Sequence, residues 1–527
     1  MSTASSAPFI LEAFEPRAYY AGGFVASYFP TTTFTGTAVT RTDASFLGKL
    51  TPPSGINNKS FSARWTGELN PATTGRHAIY ISTEGGVRLW INHRLALNKP
   101  AAPGVTTHYK VVTTLPANTP ATLQIEYRHD AGKPYVGVAW VAPGGDKEAL
   151  TGDDVATRAG DLTDQIDHAR TFAADQLSAT YRTLAVKDGV PIRSEPNKPA
   201  WYRQPFTDWT SGTFAGAMWE LNSTFAGWDK AATEWTTPLA TVEQVGDAFD
   251  REWAAYLPYY NATGSTAAKK VLLKSAAVKM TAWNDKIQAF ETPGLISHSG
   301  NKNANFGVLM DQTMDMAQLL WAGNATGDAT YRTRVIAHMK TVAKYMIRAD
   351  GSVFQRAYFN SKTGEFVVGE NYQGYSDTST WSRAQAWAMN SFATVAAATG
   401  DASLLTTART VSNYFFTHTP SDGVPYWDFQ SPNIPKTYRD TSAAAIAAQA
   451  LAILTPMVPY DRQNLYAAER DRILNSLTTK YLAEGTTLKG VLQHGAANVP
   501  KNTGVDASLM FGDYYFLRAL NAYTSTA

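Results

Sequence analysis

The sequence contains no cysteine among its 527 residues. This absence excludes disulfide bonds and metal sites built on thiolates, and it leaves the redox compartment open. The nine histidines are scattered without the spacing of metal ligands. We therefore predict that the protein works without a metal ion and without a cofactor.

Long apolar runs and a strong charge imbalance are missing as well. No run reaches the roughly 18 apolar residues that a membrane span needs. The formal net charge is only +2, which gives no electrostatic basis for binding nucleic acid or an anionic membrane surface. Hydrophobic residues make up 44% of the chain and charged residues 17%, proportions that are ordinary for a folded globular protein.

No signal peptide is recognisable at the start of the sequence. The first six residues lack a basic segment followed by an apolar run. Asn-X-Ser/Thr triplets at Asn58, Asn222, Asn261 and Asn324 fit the glycosylation acceptor pattern, which favours a secreted origin. The expectation is a secreted or periplasmic protein whose signal peptide is absent from this sequence, and a cytoplasmic location stays open.

Aromatic side chains, in contrast, are plentiful, with 14 Trp, 26 Tyr and 23 Phe. Flat rings suit the apolar faces of sugars, and Tyr and Trp add a polar tip. Large hydrophobic cores also use aromatic residues, so composition alone leaves both interpretations open.

The first part of the chain has the pattern of β-strands. Apolar and polar residues alternate in segments 61–65 and 123–127, and turn pairs such as Asn70-Pro71 and Gly85-Gly86 separate the runs. Many short strands with such turns predict an all-β domain, a sandwich or barrel, over residues 8–145.

The remainder, residues 165–527, has the pattern of helices in long Ala-rich segments. An Ala-Thr-Gly turn recurs with Gly264, Gly327 and Gly400, which are 63 and 73 residues apart. Such self-similarity predicts stacked helical hairpins, and about 360 residues hold about six of them, enough to close an α/α toroid. We expect a linker over 146–164 between the two domains.

Two short elements in the first domain carry a family resemblance. They are Arg-Trp-Thr-Gly at 64–67 and Gly-Val-Arg-Leu-Trp-Ile-Asn at 86–92. Residues 16–142 thereby resemble the protective-antigen-like (PA-fourteen) β-sandwich, which often accompanies glycosidases and adhesins. The resemblance implies a possible glycan-binding module, although Trp65 and Trp90 also fit the role of core anchors.

In the helical part, Asp311 stands just before an amphipathic run, and Asp315 follows one turn later. Its neighbours Leu309, Met310 and Met314 are apolar, and apolar surroundings raise the pKa of a carboxyl group. A raised pKa suits a general acid at neutral pH. The alternative is an ordinary N-cap of the following helix.

A second group of residues suits the binding of an acidic sugar. Ser379 and Thr380 are good N-cap residues, and Arg383 then falls in the first turns of the predicted helix. Trp387 lies four residues later, on the same face. A guanidinium fork near a helix N-terminus beside a ring makes a seat for a planar carboxylate. The alternative is an arginine that bridges two helices.

Four motifs agree with one family at the same time. They are Asp-Trp-Thr-Ser-Gly at 208–212, the Gln-Gly-Tyr and Trp-Ser-Arg-Ala-Gln-Ala-Trp block at 372–387, Pro-Tyr-Trp-Asp-Phe at 425–429, and Gly-Asp-Tyr-Tyr-Phe at 512–516. Residues 195–520 resemble glycoside hydrolase family 88, the unsaturated glucuronyl hydrolases. The resemblance implies a six-hairpin α/α toroid (barrel).

The resemblance also implies a reaction. A C4=C5 double bond in a terminal uronic acid is hydrated, and the next sugar is then released. Asp311 matches the family's catalytic aspartate. Asp247 is the best match for a second, assisting aspartate, with Asp250 as its competitor. Gly246 stands where the family has a histidine.

Substrate contacts follow from the same resemblance. Tyr372 stands where a histidine is expected, and His298 stands near the place of an expected tryptophan. The implied partner is an oligosaccharide with an acidic non-reducing end, while the oligomeric state is not predicted. The implied substrate-binding residues are Trp209, Tyr372, Gln373, Trp381, Arg383, Gln385, Trp387 and His298.

Two alternatives stay open at this point. One is a diverged exo-glycosidase that acts on a saturated uronide or another sugar and uses Asp247 or Asp250 with Asp311. The other is a non-catalytic glycan-binding protein on a degenerate toroid. The retained Asp311, Arg383 and Trp387 favour catalysis over the second alternative.

Overall fold

A computed structural model describes residues 24–35, 37–43, 47–69, 71, 73–92, 94–101, 104–117, 119–145, 147–150, 155–156, 162–241, 245–458 and 460–526. The chain divides into two compact units, residues 1–161 and 162–527. Within the predicted linker 146–164, residues 146, 151–154 and 157–161 lie outside the described residues.

Strands make up the described part of the first unit. They form two sheets with the orders β2-β1-β4-β9-β6-β7 and β11-β10-β5-β8, and β12 and β3 pair with β4 and β10. The bounds are β1 (Phe24–Phe29), β2 (Val39–Asp43), β3 (Leu47–Lys49), β4 (Phe61–Leu69), β5 (Gly75–Thr83), β6 (Gly86–Ile91), β7 (Arg94–Lys99), β8 (Thr107–Leu115), β9 (Ala121–His129), β10 (Tyr135–Val141), β11 (Glu148–Ala149) and β12 (Val155–Ala156).

Alternating burial explains why these strands form a sandwich. Along β1 and β10 every second side chain is buried, so one face of each strand turns to the core. Trp65 is completely buried in that core, and its indole N–H donates to Asp43 Oδ2 at 2.7 Å. Trp65 is therefore a core anchor. The all-β prediction for the N-terminal part is confirmed, whereas glycan binding by this unit stays a prediction.

Helices dominate the second unit. Short 3₁₀ or π turns cover Val186–Asp188, Thr237–Thr241, Phe249–Trp253, Asp311–Asp315 and Thr455–Met457. In the part that the structure describes, the α-helices are α1 (Leu162–Thr183), α2 (Thr213–Asn222), α3 (Asp229–Thr236), α4 (Ala254–Thr263), α5 (Thr266–Met280), α6 (Met316–Thr326), α7 (Ala329–Met346), α8 (Ser382–Thr399), α9 (Ala402–His418), α10 (Thr441–Leu454), α11 (Tyr460–Lys480) and α12 (Met510–Thr526).

Short strands connect these helices. They form sheets with the orders β14-β13-β21-β20, β15-β16 and β17-β18-β19. Their bounds are β13 (Val190–Glu195), β14 (Lys198–Gln204), β15 (Trp283–Asn284), β16 (Ala289–Phe290), β17 (Phe306–Leu309), β18 (Arg356–Phe359), β19 (Phe366–Glu370), β20 (Gly495–Asn498) and β21 (Thr503–Leu509).

The even-numbered helices form an inner ring. Helix α2 packs on α4, α6 packs on α8, and α8, α10 and α12 follow in order until α12 returns to α2. Trp321 of α6 closes the remaining step, because its ring contacts Tyr260 of α4 edge-on at 5.8 Å. Each of α2, α4, α6, α8 and α10 also packs on the odd-numbered helix that follows it, and α12 packs on α1. The predicted six-hairpin α/α toroid is thus confirmed.

The recurring Ala-Thr-Gly turn has a structural cause. Gly264, Gly327 and Gly400 end α4, α6 and α8 in the left-handed conformation, with φ of 64°, 76° and 71°. Glycine adopts this conformation without steric cost. Asp328 and Asp401 then accept hydrogen bonds from the first turns of α7 and α9. The repeat in the sequence is therefore a hairpin connection that ends one helix and begins the next.

The inner helices are buried nearly all round. All but one of the 14 residues of α10 are buried, and alanines occupy half of its positions, which allows close packing on α8 and α12. Across the described residues, no helix is both long enough and apolar enough to cross a bilayer.

Gly212 shows how tightly this ring is packed. It precedes α2, and a Cβ atom on it would lie 1.9 Å from the carbonyl oxygen of Arg251. We expect Gly212→Ala to separate α2 from the 249–253 turn and to destabilise the protein by about 1–3 kcal/mol or more. Thermal unfolding measures the effect. The exposed Lys230→Ala is the control and is expected to stay within about 0.5 kcal/mol. A Gly212→Ala protein as stable as this control would contradict the packing described.

Candidate active site

Asp311 begins a 3₁₀ turn between β17 and α6. Strand β17 pairs with β18, and the Met310 N–H donates to the Gln355 carbonyl at 2.8 Å, so the sheet sets the position of the turn. The Asp311 side chain is 8% exposed, and its Oδ2 has no hydrogen-bond partner among the described residues. It caps no helix, since Met310 is the N-cap of the turn and Asp315 precedes α6. The N-cap alternative is therefore wrong.

Burial raises the pKa of Asp311 above its ordinary value. Arg383, the side chain of Gln355 and Arg356 act in the opposite direction. The direction agrees with the expectation from the apolar neighbours in the sequence. A carboxyl group of this kind holds its proton at higher pH than a free aspartic acid does.

Asp247 is the second candidate carboxyl group, and unlike Asp311 it is partly exposed. It has a left-handed φ of 55° and follows Gly246, whose φ is 97°. Burial, together with the negative charges of Asp315 and Asp311, raises the pKa of Asp247 to about 7. Such a backbone is costly for a residue other than glycine and persists only where its surroundings hold it.

Gln312 is the residue that holds Asp247. Its Oε1 accepts hydrogen bonds from Lys279 Nζ at 2.7 Å and from Thr292 Oγ1 at 3.0 Å. With both donors on the oxygen, the amide nitrogen faces Asp247 and donates to Oδ1 at 3.3 Å. Gln312 thus connects a buried ammonium group to the Asp247 carboxyl.

The position of Gln312 explains the glycine at 246. A Cβ atom on Gly246 would lie 2.1 Å from Gln312 Nε2. A histidine at this position would therefore displace the Gln312 side chain from its observed position. The glycine at 246 leaves the room that the Gln312 amide, a donor to Asp247, occupies.

Asp315 links the turn at 249–253 to Lys279. Its Oδ1 accepts a hydrogen bond from the Phe249 N–H at 3.1 Å, and Lys279 Nζ lies 3.2 Å from its Oδ2. Both members of this ion pair are almost completely buried. Lys279 therefore serves two acceptors, Gln312 and Asp315.

Asp250 does not fit the role of a second catalytic carboxylate. Its side chain is completely buried, and Oδ1 accepts a hydrogen bond from the Tyr515 hydroxyl at 2.8 Å. Its backbone carbonyl accepts from the Gly212 N–H at 3.0 Å. Burial raises its pKa well above the ordinary value. Between the two candidates, only Asp247 is partly exposed.

Arg383 is engaged inside the protein. Its Nη1 pairs with Asp440 Oδ2 at 2.8 Å and donates to the Ala496 carbonyl at 2.7 Å, and Nη2 donates to the Ala497 carbonyl at 2.5 Å. The side chain is 1% exposed, and the guanidinium stacks on Trp381 rather than on Trp387. A free fork that grips a substrate carboxylate is thus not what the structure contains. The interpretation as a bridge between elements fits better.

Three more predicted contact residues are buried supports. Trp381 and Trp387 have essentially no exposed surface, and Trp387 packs edge-on against Phe249 and Tyr515 at 5.3 and 5.1 Å. Gln385 donates from Nε2 to two backbone carbonyls, each at 2.9 Å. Because these side chains are inaccessible, the prediction that they touch substrate is corrected. They hold the wall of the site.

The remaining predicted residues are accessible. Trp209 is partly exposed and packs on Phe511 with ring centroids 5.2 Å apart. Tyr372 and Gln373 are also partly exposed, and their backbone N–H groups donate to Gln355 Oε1 at 2.9 and 3.0 Å. Their contact with substrate stays a prediction.

His298 is 44% exposed and its ring centroid lies 6.3 Å from that of Tyr372. It borders a cavity of about 630 Å³ that Tyr345, Phe366 and Glu370 also line. Neither Asp311 nor Asp247 lines this cavity.

Sequence reasoning missed Gln312, Lys279 and Gln355. Gln312 adjoins Asp311 in the chain, so its position carried a signal that an amide belongs to the site. Lys279 lies 33 residues away from its partner, and no local pattern marks it. Gln355 begins the chain of amides that continues through Gln373 Oε1 at 2.8 Å.

Comparison with known proteins gives separate results for the two units. Residues 20–154 match the family profile of the PA14 domain. An unsaturated glucuronyl hydrolase of Formosa agariphila is 30% identical over 330 residues, which are 60% of this chain and 80% of the relative. One from Bacillus sp. strain GL1 is 30% identical over 334 residues, or 60% of this chain and 85% of the relative.

Solved structures agree with these relatives. An unsaturated glucuronyl hydrolase specific for heparin has a TM-score of 0.65 at 26% identity and covers 69% of this chain and 97% of its own. The structure from Bacillus sp. GL1 has a TM-score of 0.62 at 26% identity, covering 68% and 96%.

Fold and relatives together place the chain among the glycoside hydrolases. It belongs to the family of unsaturated glucuronyl hydrolases and carries a PA14 domain at its N-terminal side. The alternative of a glycan-binding protein without enzymatic activity is therefore wrong.

The raised pKa of Asp247 predicts a pH-dependent stability. Between its unfolded value near 4 and its folded value of about 7, the folded protein keeps a proton that the unfolded chain has lost. Stability contributed by this group therefore falls as the pH rises through that window. We expect Asp247→Asn, which carries no charge, to raise Tm relative to the wild type more at pH 8 than at pH 5.

Thermal unfolding at the two pH values checks this. The exposed Asp175→Asn is the matched control, and its difference from the wild type is expected to be small at both values. An equal Tm difference for Asp247→Asn at pH 5 and pH 8 would show that the carboxyl group titrates normally.

Proposed function

We propose that this enzyme removes a 4,5-unsaturated uronic acid from the non-reducing end of lyase-generated oligosaccharides. The observation that carries the proposal is the Asp311 carboxyl, which is buried, raised in pKa and unpaired at Oδ2 in a member of this family. A proton donor to an electron-rich double bond needs this combination.

In the proposed reaction, the Asp311 carboxyl transfers its proton to C4. The resulting cation at C5 is stabilised by the ring oxygen. Water adds at C5 and returns a proton to the Asp311 carboxylate, so the acid is regenerated. The hemiketal then opens by cleavage of the bond between C5 and the ring oxygen. The C1 hemiacetal so formed releases the next sugar with its glycosidic oxygen.

Asp247 assists because its titration is coupled to that of Asp311. The negative charge of Asp311 raises the pKa of Asp247, and such coupling between titrating groups is mutual. Two carboxyl groups that disfavour simultaneous ionisation retain a proton near neutral pH. Gln312 orients Asp247 within this pair.

A displacement mechanism with two flanking carboxylates is less well supported. It would use Asp247 or Asp250 with Asp311 on a saturated uronide. Asp250 is inaccessible, and no separate observation favours Asp247 as a nucleophile.

We also infer a secreted or periplasmic location. Three of the four acceptor asparagines, Asn58, Asn261 and Asn324, are exposed. Detection of the native protein in the culture medium or periplasm of its source would test this, and recovery only from the cytoplasm would contradict it.

The function is tested with unsaturated disaccharides from several polysaccharide lyases. We expect the wild type to abolish the ultraviolet absorbance of the double bond. Asp311→Asn is expected to lower kcat by about 100- to 10,000-fold, because it removes the proton donor but keeps the shape of the side chain. Loss of absorbance over time measures both rates.

Asp315→Asn is not a suitable control because it disturbs Lys279, so the exposed Asp175→Asn serves and is expected to be fully active. If the wild type leaves every double bond intact but releases sugar from a saturated uronide, displacement replaces the proposal.

Gln312→Leu is expected to lower kcat with a smaller change in KM. Its amide donates to Asp247, and loss of a donor raises the pKa of a carboxyl group. The pKa that Asp247 contributes to the pH–rate profile should therefore rise. Gly246→Ala should shift the profile in the same direction, because its Cβ displaces the amide. Steady-state rates across pH measure both variants.

Gln463→Leu on the outer helix α11 is the matched control for this amide. A Gln312→Leu protein that loses activity with an unshifted pH profile would mean that Gln312 supports the fold and does not act on Asp247.

A further inference from the structure

We propose that Arg356 and Lys501, both placed against the ring of Tyr372, form a seat for an oxyanion carried by the substrate. The inference deepens the proposed function and rests on it. It assigns the anion-binding role to two residues for which neither the motifs nor the relatives provided a role.

Two positively charged side chains lie against the ring of Tyr372. The guanidinium carbon of Arg356 lies 4.1 Å from the ring centroid, and Lys501 Nζ lies 4.3 Å from the same centroid. Each contact is a favourable cation–π interaction. One ring therefore holds two cationic side chains close to it.

Neither cation is neutralised by the protein. Among the described residues, no carboxylate oxygen lies within 4 Å of Arg356 or Lys501, and Arg356 Nε is buried without a hydrogen-bond partner. A buried, unsatisfied donor on a charged group is costly unless a ligand completes it. Tyr358 is a polar neighbour whose hydroxyl donates to the Ile296 carbonyl at 3.0 Å and whose oxygen interacts with Arg356, but this neutral group does not compensate the positive charge.

The cross-strand neighbour of Arg356 is an acid whose carboxylate is hydrogen-bonded to other groups. That neighbour is Glu370 on β19. Its carboxylate accepts hydrogen bonds from the Ser297 hydroxyl and from the backbone N–H groups of His298 and Ser299, at 2.5, 3.0 and 3.1 Å. This arrangement turns Glu370 away and leaves the charge of Arg356 available.

Arg383 differs from Arg356 in this respect, because Asp440 neutralises it and its two terminal nitrogens donate to backbone carbonyls. The available positive charge near Asp311 therefore belongs to Arg356. Proximity follows from the chain itself. Arg356 adjoins Gln355, whose side chain holds the Tyr372 backbone, and both residues lower the pKa of Asp311.

The ligand chemistry follows from the two side chains. A guanidinium binds the planar edge of a carboxylate or two oxygens of a sulfate as a fork, and an exposed ammonium adds a point charge. Two sources on the substrate present such a group: the carboxylate of the unsaturated uronate itself, and a sulfate on the neighbouring sugar.

The test uses Lys501→Gln, Arg356→Gln and Arg356→Lys in the full chain. Lys501 is exposed, so its variant is expected to fold normally. Three substrates are compared: an unsulfated unsaturated disaccharide, its uronate methyl ester and its sulfated form. We expect KM to rise about ten-fold or more when one charge-assisted contact is lost, with kcat changed far less. Lys230→Gln is the charge-matched control.

The substrates separate the two sources. The unsulfated and the sulfated disaccharide both carry a free uronate carboxylate. Higher KM for these two substrates, with an unchanged KM for the methyl ester, assigns the seat to the uronate carboxylate. Higher KM for the sulfated substrate alone assigns it to the sulfate. Unchanged KM for all substrates, or equal increases that include the methyl ester, would overturn the proposal.

Binding measured in the Asp311→Asn background keeps this test independent of turnover. If the wild type turns over none of the substrates, the proposed function fails, yet the same pattern in dissociation constants still decides the seat. Equal dissociation constants for the Lys501, Arg356 and Lys230 variants would reject it.

Discussion

The burial of carboxyl groups beside one another is the constraint on which the rest of the site depends. Asp311 and Asp315 both lie within electrostatic reach of Asp247, and both are buried. Burial disfavours the charges of Asp311 and Asp247, so the protein needs either protons or cations. Lys279 serves Asp315 and, through Gln312, Asp247, whereas Asp311 keeps an unpaired oxygen. The unpaired group is the one that is suited to give its proton away.

The toroid supplies the rigidity that this arrangement requires. Inner helices that are buried nearly all round hold the turns at 246–253 and 311–315 against each other, and Thr313 fixes the second turn to Ser391 of α8 at 2.8 Å. Arg383 contributes at a distance, because its pair with Asp440 and its bonds to the 496–497 backbone hold the strand that leads to Lys501. Arg383 was expected to contact the substrate itself. Instead it positions the loop that carries Lys501, the residue proposed to do so.

Local features predicted much of this from the sequence. The Ala-Thr-Gly turns predicted the hairpins because a left-handed glycine and a following cap residue are short-range signals. The apolar neighbours of Asp311 likewise predicted the direction of its pKa. The partners of Arg383 were not predictable, since Asp440 lies 57 residues away and the acceptor carbonyl of Ala496 lies 113 away. The prediction that Trp387 contacts substrate was wrong for a related reason. An inner helix is buried on every face, so periodicity does not reveal which face meets substrate.

One measurement tests the central claim, hydration of the double bond, most directly. An unsaturated uronyl analogue with a methylene group in place of the glycosidic oxygen keeps the vinyl ether but has no C1–O bond to a second sugar. If hydration comes first, its ultraviolet absorbance disappears at a rate close to that of the natural disaccharide, and no sugar is released. A double bond that persists in the analogue, under conditions that degrade the natural disaccharide, would contradict the account.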